Sequence, residues 1–459
     1  VHAEHVVNAG GLWAREVGRM VGLELPVLAM EHQYLITEDM PEVLAAPKEL
    51  MHAIDFEAEI YLRQDRGGML LGTYERAGVP WSEKTTPWDF STQLLPEDLD
   101  RIVPSLEVGF EHFPAIGRAG IKRVINGPFT FAPDGNPLVG PVPGLRNYWS
   151  ACSVMAGFSQ GGGVGLTLAE WMIEGEPSRD VFAMDVARFG DNTTPSYTRL
   201  KVTENYQRRF TVSYPNEELP AARPLDTTPA YGIWQQKNAV FGAAYGMEHV
   251  NYFAPAGEEP WEIPSFRRSN AFPVVAEECR AVREAVGLNE VHNFGKYVFS
   301  GEGARDYLDY IMAGRIPQPG RLSLNPMLSK KGRIIGDFTV ACLDDETFQV
   351  TASYGAQAYH MRWFEQHLPD SGVRIENVSR TRIGFQIAGP KAQALLSRVT
   401  RADVSTEAFP FLSVREIDVG QCQAIVQRVS YTGDRGYEIY VPWYNQVALY
   451  HVLNEAGKD

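Results

Sequence analysis

The sequence predicts a multidomain protein that combines the α/β and α+β classes. Three stretches of different texture support this: strands alternate with helices over residues 1–175, periodicity is weak over 176–270, and strand–helix–strand units return over 271–459. At 459 residues the chain is long enough for two or three domains, each with a core of its own.

The first stretch is predicted to form a domain of mixed sheet and helix. Period-two alternation favours strands within 31–38 and 59–75, and a 3.6-residue apolar period favours a helix within 95–113. A turn containing Asp134 and Gly135 is expected to follow, because both residue types favour tight turns.

Three consecutive glycines, Gly161–Gly163, stand between a predicted strand at Asn147–Cys152 and a helix expected from about Val164. A loop without side chains lets the backbone approach a flat or anionic ligand and point its N–H groups at it. Spacing alone fits an ordinary flexible joint equally well. The residues therefore predict either a cofactor loop or a plain connection.

The second and third stretches differ in residue composition and in their glycine motifs. Residues 176–270 are rich in Pro, Tyr, Arg and Trp, which predicts an irregular connector that wraps over its neighbours. In the third stretch, Gly301–Asp306 partly matches the dinucleotide fingerprint, but Asp306 replaces the third glycine. We therefore predict a plain strand-to-helix turn there.

Charge and cysteine content restrict the partners. The formal charge of −15 argues against nucleic acid or an anionic membrane as a partner. Four scattered cysteines lack any C-x-x-C spacing, which suits a reducing compartment and predicts no disulfide framework and no metal site. No apolar run approaches the ~20 residues that span a bilayer, so a soluble protein is expected.

Two strand residues of the first stretch carry possible proton chemistry. His32 titrates near neutral pH and can accept a proton from an ammonium substrate, although a lone strand histidine is more often structural. Tyr61 has a similar status, because a strand tyrosine usually packs in the core with its hydroxyl at the surface.

Two carboxylates of the third stretch also invite explanation. Asp337 interrupts an apolar, strand-like run, where a carboxylate is costly unless it is paired, functional or turned to water at a sheet edge. Glu438 lies between Tyr437 and Ile439 after a glycine-rich turn. A buried Glu in that setting can accept two parallel hydrogen bonds from a guanidine-like ring edge.

The wording of the first stretch closely resembles the glycine-oxidase and sarcosine-oxidase class of FAD amine oxidoreductases. Residues 126–171 resemble its last flavin-contacting segment, and residues 8–18 resemble the turn beside the adenosine half of FAD. The strands of His32 and Tyr61 resemble those that face the substrate in dimethylglycine oxidases and dehydrogenases. The resemblance implies that these two residues are catalytic. The FAD contacts that it implies are Gly10, Gly11, Trp13, Pro133, Asp134, Gly157, Gly161, Gly162, Gly163 and Val164.

The third stretch resembles the aminomethyltransferase of the glycine cleavage system, which is a tetrahydrofolate enzyme. The segments KGRIIGDFTV and YTGDRGYE carry this resemblance. It implies that Asp337 lies beside the reactive folate nitrogens, with a catalytic role, and that Tyr431 and Glu438 bind tetrahydrofolate. The common form of the second motif has Glu where this chain has Asp434, so the geometry of that turn can differ.

Both halves together resemble the dimethylglycine and sarcosine dehydrogenase (oxidase) family, with 4-methylaminobutanoate oxidase close by. The resemblance implies the C-terminal part of an FAD-binding domain with its substrate sheet over 1–175, a connector over 176–270, and the first part of a folate domain over 271–459. The dinucleotide-binding part, and any covalent FAD attachment site, would precede residue 1. We therefore expect an internal fragment that binds FAD poorly by itself.

The implied reaction is oxidative N-demethylation of dimethylglycine or sarcosine, with transfer of the one-carbon unit to tetrahydrofolate. Oxygen or an electron-transfer flavoprotein would take the electrons, in the cytoplasm of a bacterium or the mitochondrial matrix of a eukaryote. Two alternatives stay open. One is an amine oxidase that releases formaldehyde because its folate domain is vestigial, and the other is a non-catalytic folate-binding module.

Overall fold

The computed structural model describes residues 2–458, which form two compact units. The first runs to Ser213 and includes Leu219–Ala222, and the second comprises Tyr214–Glu218 and the chain from Arg223 onward. Within residues 2–458, no helix is both long and apolar enough to cross a membrane.

In its described residues, the first unit contains nine strands and six α-helices. The strands are β1 (Val6–Asn8), β2 (Leu28–Thr37), β3 (Ala53–Asp55), β4 (Ile60–Asp65), β5 (Gly68–Thr73), β6 (Pro80–Trp81), β7 (Ile121–Phe131), β8 (Leu138–Pro141) and β9 (Tyr148–Cys152). The helices are α1 (Ala14–Arg19), α2 (Pro41–Leu44), α3 (Leu99–His112), α4 (Pro114–Gly117), α5 (Gly157–Glu174) and α6 (Pro195–Gln207). The strands and the helix predicted within 31–38, 59–75 and 95–113 are confirmed.

Two sheets organise this unit. A six-stranded sheet has the order β3-β4-β5-β2-β6, with β7 pairing along β2 over its whole length. A three-stranded sheet has the order β1-β9-β8, and its strands β1 and β9 run parallel. Helices α3 and α4 pack on the larger sheet through an apolar cluster that includes Ile60, Leu71, Ile102 and Ile116.

The part of the second unit that the structure describes contains twelve strands and six α-helices. The strands are β10 (Ala239–Ala244), β11 (Met247–Phe253), β12 (Gly287–Glu290), β13 (Phe294–Ser300), β14 (Leu322–Leu328), β15 (Ile334–Cys342), β16 (Thr347–Ser353), β17 (Arg374–Asn377), β18 (Arg382–Ala388), β19 (Val414–Val419), β20 (Cys422–Gln427) and β21 (Gly436–Pro442). The helices are α7 (Tyr231–Gln236), α8 (Ala271–Glu284), α9 (Ala304–Ile311), α10 (Gln357–His367), α11 (Ala392–Val399) and α12 (Gln446–Ala456).

Two five-stranded sheets form the centre of the second unit. Their orders are β12-β18-β21-β20-β19 and β14-β15-β16-β13-β17. Each sheet packs one apolar face on helices: Phe385 and Ile439 contact the cluster of α11 and α12, and Phe299 and Phe338 contact that of α9 and α10. Because successive side chains of a strand point to opposite faces, the residues between these apolar ones lie on the other face of each sheet, away from the helices.

Two sequence predictions need comment. The turn predicted at Gly301–Asp306 is confirmed, since β13 ends at Ser300 and α9 begins at Ala304. The prediction of a glycine-dense loop followed by a helix from about Val164 was wrong, because α5 already begins at Gly157 and includes Gly161–Gly163. Each glycine costs a helix up to ~1 kcal/mol, but an 18-residue helix that packs Val164, Leu168 and Trp171 into the core can bear that cost.

Candidate functional site

The carboxyl ends of β1 and β9 form one edge of the three-stranded sheet. The two strands are in parallel register, with Val6 opposite Tyr148 and Asn8 opposite Ser150, so the turns that follow them lie side by side. The Cys152 thiol donates to the Asn8 carbonyl oxygen at 3.1 Å and ties the two ends together. Ligands of open α/β sheets bind at this kind of edge.

The turn after β1 holds three of the predicted FAD residues. Asn8 Oδ1 accepts a hydrogen bond from the Gly10 N–H at 3.0 Å, and Gly11 has φ +54°, a left-handed conformation that favours glycine. Trp13 Nε1 donates to the Pro87 carbonyl oxygen at 2.9 Å, and its ring is half-buried. The turn is therefore built so that bare backbone stands at the sheet edge.

The loop after β9 leads straight into α5. Gly157, Gly162 and Gly163 are exposed, Gly161 is half-buried, and a methyl group added at any of the four would meet no atom within 4 Å. The open space at these glycines, at the start of a long helix that also exposes Phe158, leaves room for a flat cofactor close to the backbone N–H groups of the first turn. Val164 differs, because its side chain packs in the core.

The turn that carries Pro133 and Asp134 is held by a salt bridge. Arg188 Nε donates to Asp134 Oδ2 at 2.7 Å, and an Nη of the same guanidinium donates to Oδ1 at 2.8 Å. Both carboxylate oxygens are thus engaged within the chain. Asp134 fixes the turn, and Pro133 beside it is buried.

The six-stranded sheet brings His32 and Tyr61 together with Tyr74 and Phe129 in a cluster of rings, called the aromatic cage below. His32 Nε2 lies 3.0 Å from the Tyr61 hydroxyl, and the two rings are stacked with their centroids 5.9 Å apart. The centroids of Tyr74 and Phe129 lie 4.8 and 5.2 Å from that of His32. A cage of this composition suits a methylated ammonium group, which the faces of aromatic rings attract.

Burial sets the protonation of the cage. Loss of solvation, with a smaller contribution from the positive charge of Arg101, lowers the pKa of His32 to about 4. Burial raises the pKa of Tyr61 well above its usual value and that of Tyr74 to about 12. All three side chains are therefore neutral at pH 7.

The cage and the helix with the glycines belong to one neighbourhood. Met155, in the loop between β9 and α5, packs in the same apolar cluster as Tyr74 and Tyr206, with Tyr61 and Phe129 against it. The structure thus brings the predicted catalytic pair close to the sheet edge that carries the predicted flavin contacts.

Sequence reasoning missed several residues of this neighbourhood. Tyr206 on α6 contacts His32 Nδ1 at 3.1 Å, yet it lies in the stretch predicted to be an irregular connector. A signal was present, because the buried residues of α6, Thr198, Val202 and Tyr206, are spaced four apart. Tyr74 and Phe129 gave no such signal, because an aromatic residue on a strand is usually expected to pack in the core.

In the second unit, the two five-stranded sheets turn polar faces toward each other. Residues from both sheets, including Ala341, Ile425 and Tyr440, share one small apolar cluster, and an Nη of Arg382 on β18 donates to Gln349 Oε1 on β16 at 2.9 Å. The polar side chains of this layer are Lys296, Gln349, Thr351, Gln386, Gln427, Glu438 and Tyr440. A buried polar layer of this size is unusual in a domain core and marks a candidate binding site.

Glu438 lies at the centre of this layer. It pairs in register with Gln386 on one side and Gln427 on the other, and its Oε2 accepts a hydrogen bond from the Tyr440 hydroxyl at 2.7 Å. Burial raises the pKa of Glu438 to about 7. Lys296 is fully buried near it, and burial lowers the pKa of that ammonium to about 7 while the carboxylate opposes the shift.

Asp337 and Tyr431 stand at the margins of the layer. Asp337 lies on β15 with Thr339 and Ala341 on the polar side, and it is exposed rather than buried. The Tyr431 N–H donates to Gln386 Oε1 at 2.8 Å, while its ring is exposed and lies 6.2 Å from that of Phe294. The three predicted folate residues thus border one region.

No group of three His, Cys, Asp or Glu in residues 2–458 is placed to hold a metal ion.

The first site lies in a segment with the fold of an FAD-dependent oxidoreductase, and the second lies in a domain of the GCVT type. Comparison with protein families agrees: residues 1–171 match "FAD dependent oxidoreductase", 174–228 its "central domain", and 230–459 "GCVT N-terminal domain". The chain belongs to the GCVT N-terminal domain family through that last match, and it is a homologue of the dimethylglycine and sarcosine dehydrogenases.

Three relatives illustrate this similarity. The chain is 36% identical to the mitochondrial dimethylglycine dehydrogenase of Homo sapiens, with 100% of this chain and 54% of the relative covered. It is 28% identical to the human mitochondrial sarcosine dehydrogenase, with 98% and 53% covered. It is 29% identical to the formaldehyde-forming 4-methylaminobutanoate oxidase of Paenarthrobacter nicotinovorans, with 100% and 56% covered. The chain therefore spans about half the length of the curated relatives it matches.

Proposed function

We propose that the protein containing this chain oxidatively removes an N-methyl group from dimethylglycine or sarcosine and transfers the one-carbon unit to tetrahydrofolate, giving 5,10-methylenetetrahydrofolate. The observation that carries the proposal is the His32–Tyr61 pair inside an aromatic cage, in the same chain as the polar layer around Glu438. The names of the relatives support this choice of substrates.

The first site would bind the methylated ammonium and take its proton. The faces of Tyr61, Tyr74 and Phe129 attract the cation, and the Tyr61 hydroxyl and His32 imidazole provide a path for the proton. Loss of that proton frees the nitrogen lone pair, which assists departure of a hydride from the methyl carbon. Bound FAD supplies the hydride acceptor, and the turn at Gly10–Trp13 with the Gly157–Gly163 surface would hold it.

The second site would bind tetrahydrofolate. Glu438 would accept two hydrogen bonds from the pterin edge, with Tyr431 against the ring, and the exposed carboxylate of Asp337 would poise the folate nitrogen for attack on the one-carbon unit. We propose a matching division of the chain: 1–175 for flavin and amine, 271–459 for folate, and 176–270 as the connection.

Flavin reduction tests the amine half. The complete protein, mixed anaerobically with dimethylglycine, sarcosine or 4-methylaminobutanoate, should lose its flavin absorbance fastest with one of the first two. A faster reaction with 4-methylaminobutanoate would favour the formaldehyde-forming alternative, to which one relative belongs by name. A preparation without flavin absorbance would favour a non-catalytic module.

Ligand binding tests the folate half independently. Titration of the protein with 5-formyltetrahydrofolate should show binding that Glu438→Gln weakens by at least ~10-fold, because a charged acceptor is replaced by a neutral amide. Gln423→Glu, an exchange between the same two residue types at an exposed position of β20, is the matched control and should bind normally. Equal binding by both variants would refute the assignment of Glu438.

The acceptor and compartment follow from the same proposal. We propose oxygen or an electron-transfer flavoprotein as electron acceptor, and measuring hydrogen peroxide formed per amine consumed separates the two. In a eukaryote we place the protein in the mitochondrial matrix, as the relatives named mitochondrial suggest, and in a bacterium in the cytoplasm.

A further inference from the structure

A chain of hydrogen bonds continues from the His32–Tyr61 pair into the core of the first unit. His32 Nδ1 lies 3.1 Å from the Tyr206 hydroxyl, and that hydroxyl donates to Glu75 Oε2 at 2.9 Å. Glu75 is 2% exposed and Tyr206 is fully buried. The Arg101 guanidinium approaches Glu75 Oε1 at 3.0 Å as an ion pair, outside hydrogen-bond geometry.

The direction of each bond follows from the number of protons available. A carboxylate only accepts, so the single hydroxyl proton of Tyr206 is used toward Glu75. The Tyr206 oxygen can then only accept from His32, which requires a proton on Nδ1. A neutral imidazole carries one proton, so Nε2 has a free lone pair and accepts the Tyr61 hydroxyl proton.

We propose that Tyr206 and Glu75 are positioning residues that hold His32 in the tautomer with its proton on Nδ1. They touch neither substrate nor cofactor and act through the imidazole. In this tautomer, the Tyr61 hydroxyl donates its hydrogen bond to His32 and presents only oxygen lone pairs to the cage. Tyr61 is thereby made an acceptor for the N–H of an ammonium ligand.

The catalytic meaning of this arrangement rests on the proposed function. When an ammonium donates its proton to the Tyr61 oxygen, the Tyr61 hydroxyl proton passes to His32 Nε2. The amine leaves this step neutral, Tyr61 regains one proton, and His32 becomes a cation bonded through Tyr206 to the Glu75 carboxylate. The opposite tautomer would block the step, because Nε2 would already carry a proton.

The surroundings of Glu75 allow a single substitution to reverse the tautomer of His32. Its Oε1 faces Arg101, and its Oε2 accepts from both Tyr206 and the Thr73 hydroxyl at 3.2 Å. In Glu75→Gln, the amide oxygen should remain toward the cation and the NH₂ group should replace Oε2. The NH₂ group then donates to Tyr206, whose hydroxyl turns to donate to His32 Nδ1, and the imidazole proton moves to Nε2.

Nitrogen NMR of histidine tests this directly, without amine or flavin chemistry. The complete protein is labelled with ¹⁵N-histidine, His32 is assigned by its loss in His32→Gln, and long-range ¹H–¹⁵N spectra at pH 7 report which ring nitrogen is protonated. We expect protonated Nδ1 in the wild type, protonated Nε2 in Glu75→Gln and a raised Nε2-protonated fraction in Tyr206→Phe. Glu75→Asp should restore the wild-type pattern.

Glu59→Gln is the matched control. Glu59 is another buried carboxylate of the first unit, with an arginine and a threonine hydroxyl each 3.4 Å from its Oε1, but it does not reach His32. It should leave the tautomer unchanged. A wild type protonated on Nε2, or a Glu75→Gln spectrum identical to the wild type, would overturn the proposal.

Kinetics then connects the tautomer to the reaction. In the complete protein, Glu75→Gln should slow flavin reduction by roughly 10²–10⁴-fold, the range of general acid–base catalysis, and Glu59→Gln should leave it unchanged. If the tautomer behaves as expected but no methylated amine reduces the flavin in the wild type, the proposed function fails and the positioning role stands. If the amine is oxidised and the tautomer is reversed, only the positioning role fails.

Discussion

At the scale of single residues, His32 shows how a fold can make an ordinary side chain specific. Its two ring nitrogens face two tyrosine hydroxyls, at 3.1 and 3.0 Å, and burial lowers its pKa to about 4. A base of so low a pKa is weak by itself. In our proposal its competence as a base depends on the Tyr206–Glu75 pair, which hydrogen-bonds to Nδ1 and stabilises the imidazolium, and which sequence reasoning did not reveal.

Replacing His32 or Tyr61 should prevent the site from accepting the substrate proton but should leave the fold intact. We expect His32→Gln and Tyr61→Phe each to lower the rate of flavin reduction by roughly 10²-fold or more at pH 7, and the effect should shrink at high pH, where the substrate arrives already deprotonated. Stopped-flow flavin absorbance in the complete protein measures this.

His52 provides the control for that experiment. It is exposed and its ring lies 6.2 Å from that of Tyr61, without a hydrogen bond to it. His52→Gln should therefore keep the wild-type rate at every pH. A rate loss that does not change with pH in the His32 variant would contradict its role in proton transfer.

A second residue prediction concerns acid stability. His360 is 2% exposed, its Nδ1 lies 3.2 Å from the Tyr297 hydroxyl, and burial lowers its pKa from 6.5 to about 4. The unfolded chain therefore takes up this proton first, and the stability contributed by neutral His360 is lost as the pH falls from 6.5 toward 4.

The expected size is about 1.4 kcal/mol per pH unit over that window. Compared with His360→Gln, the wild type should lose roughly 2 kcal/mol more of its free energy of unfolding between pH 6.5 and 5. Urea titrations of both proteins at the two pH values check this. Parallel losses would mean that His360 is not buried as a neutral group.

At the scale of elements, regular periodicity predicted well and glycine composition misled. The long strand β2, the helix α3 and the turn before α9 were found from alternation, apolar spacing and Gly301. The start of α5 was missed, because a glycine triplet reads as a loop unless the packing of Val164 and Leu168 that stabilises the helix is known. Contacts between distant elements, such as α6 with β2, leave no trace in local sequence.

The site showed the same limit. Resemblance pointed to His32, Tyr61, Asp337 and Glu438, but their surroundings came from the structure alone. Lys296 is an example: on the sequence it is one of many lysines, and only the packing of the two five-stranded sheets brings its charge near Glu438.

The helix α5 yields an element-scale prediction. Gly162→Ala should stabilise the chain by up to ~1 kcal/mol, since alanine is the better helix former and its methyl group meets no atom within 4 Å. In the complete protein the same methyl group should weaken FAD binding, because it occupies the surface proposed for the cofactor. Thermal melting and flavin fluorescence measure the two effects.

Gly165→Ala is the matched variant, one residue beyond Val164 on the same exposed helix and with the same open space around its Cα. It should raise the melting temperature without weakening FAD binding. If both variants bind FAD as the wild type does, the surface of α5 is not the cofactor site.

At the scale of the whole molecule, two chemically different sites occupy one chain. The first unit holds an aromatic cage with a proton acceptor, and the second holds a buried polar layer around a carboxylate. Their combination makes chemical sense if the product of the first is the substrate of the second. N-demethylation alone yields formaldehyde, whereas a folate site in the same protein can capture the carbon before it is released.

The fate of that carbon is the most direct test of the account. The complete protein should oxidise dimethylglycine in the presence of tetrahydrofolate with little free formaldehyde and a matching yield of 5,10-methylenetetrahydrofolate. Asp337→Ala should oxidise the amine at the same rate but release formaldehyde instead. If formaldehyde and 5,10-methylenetetrahydrofolate yields are identical in wild type and variant, the proposed folate chemistry of Asp337 is contradicted.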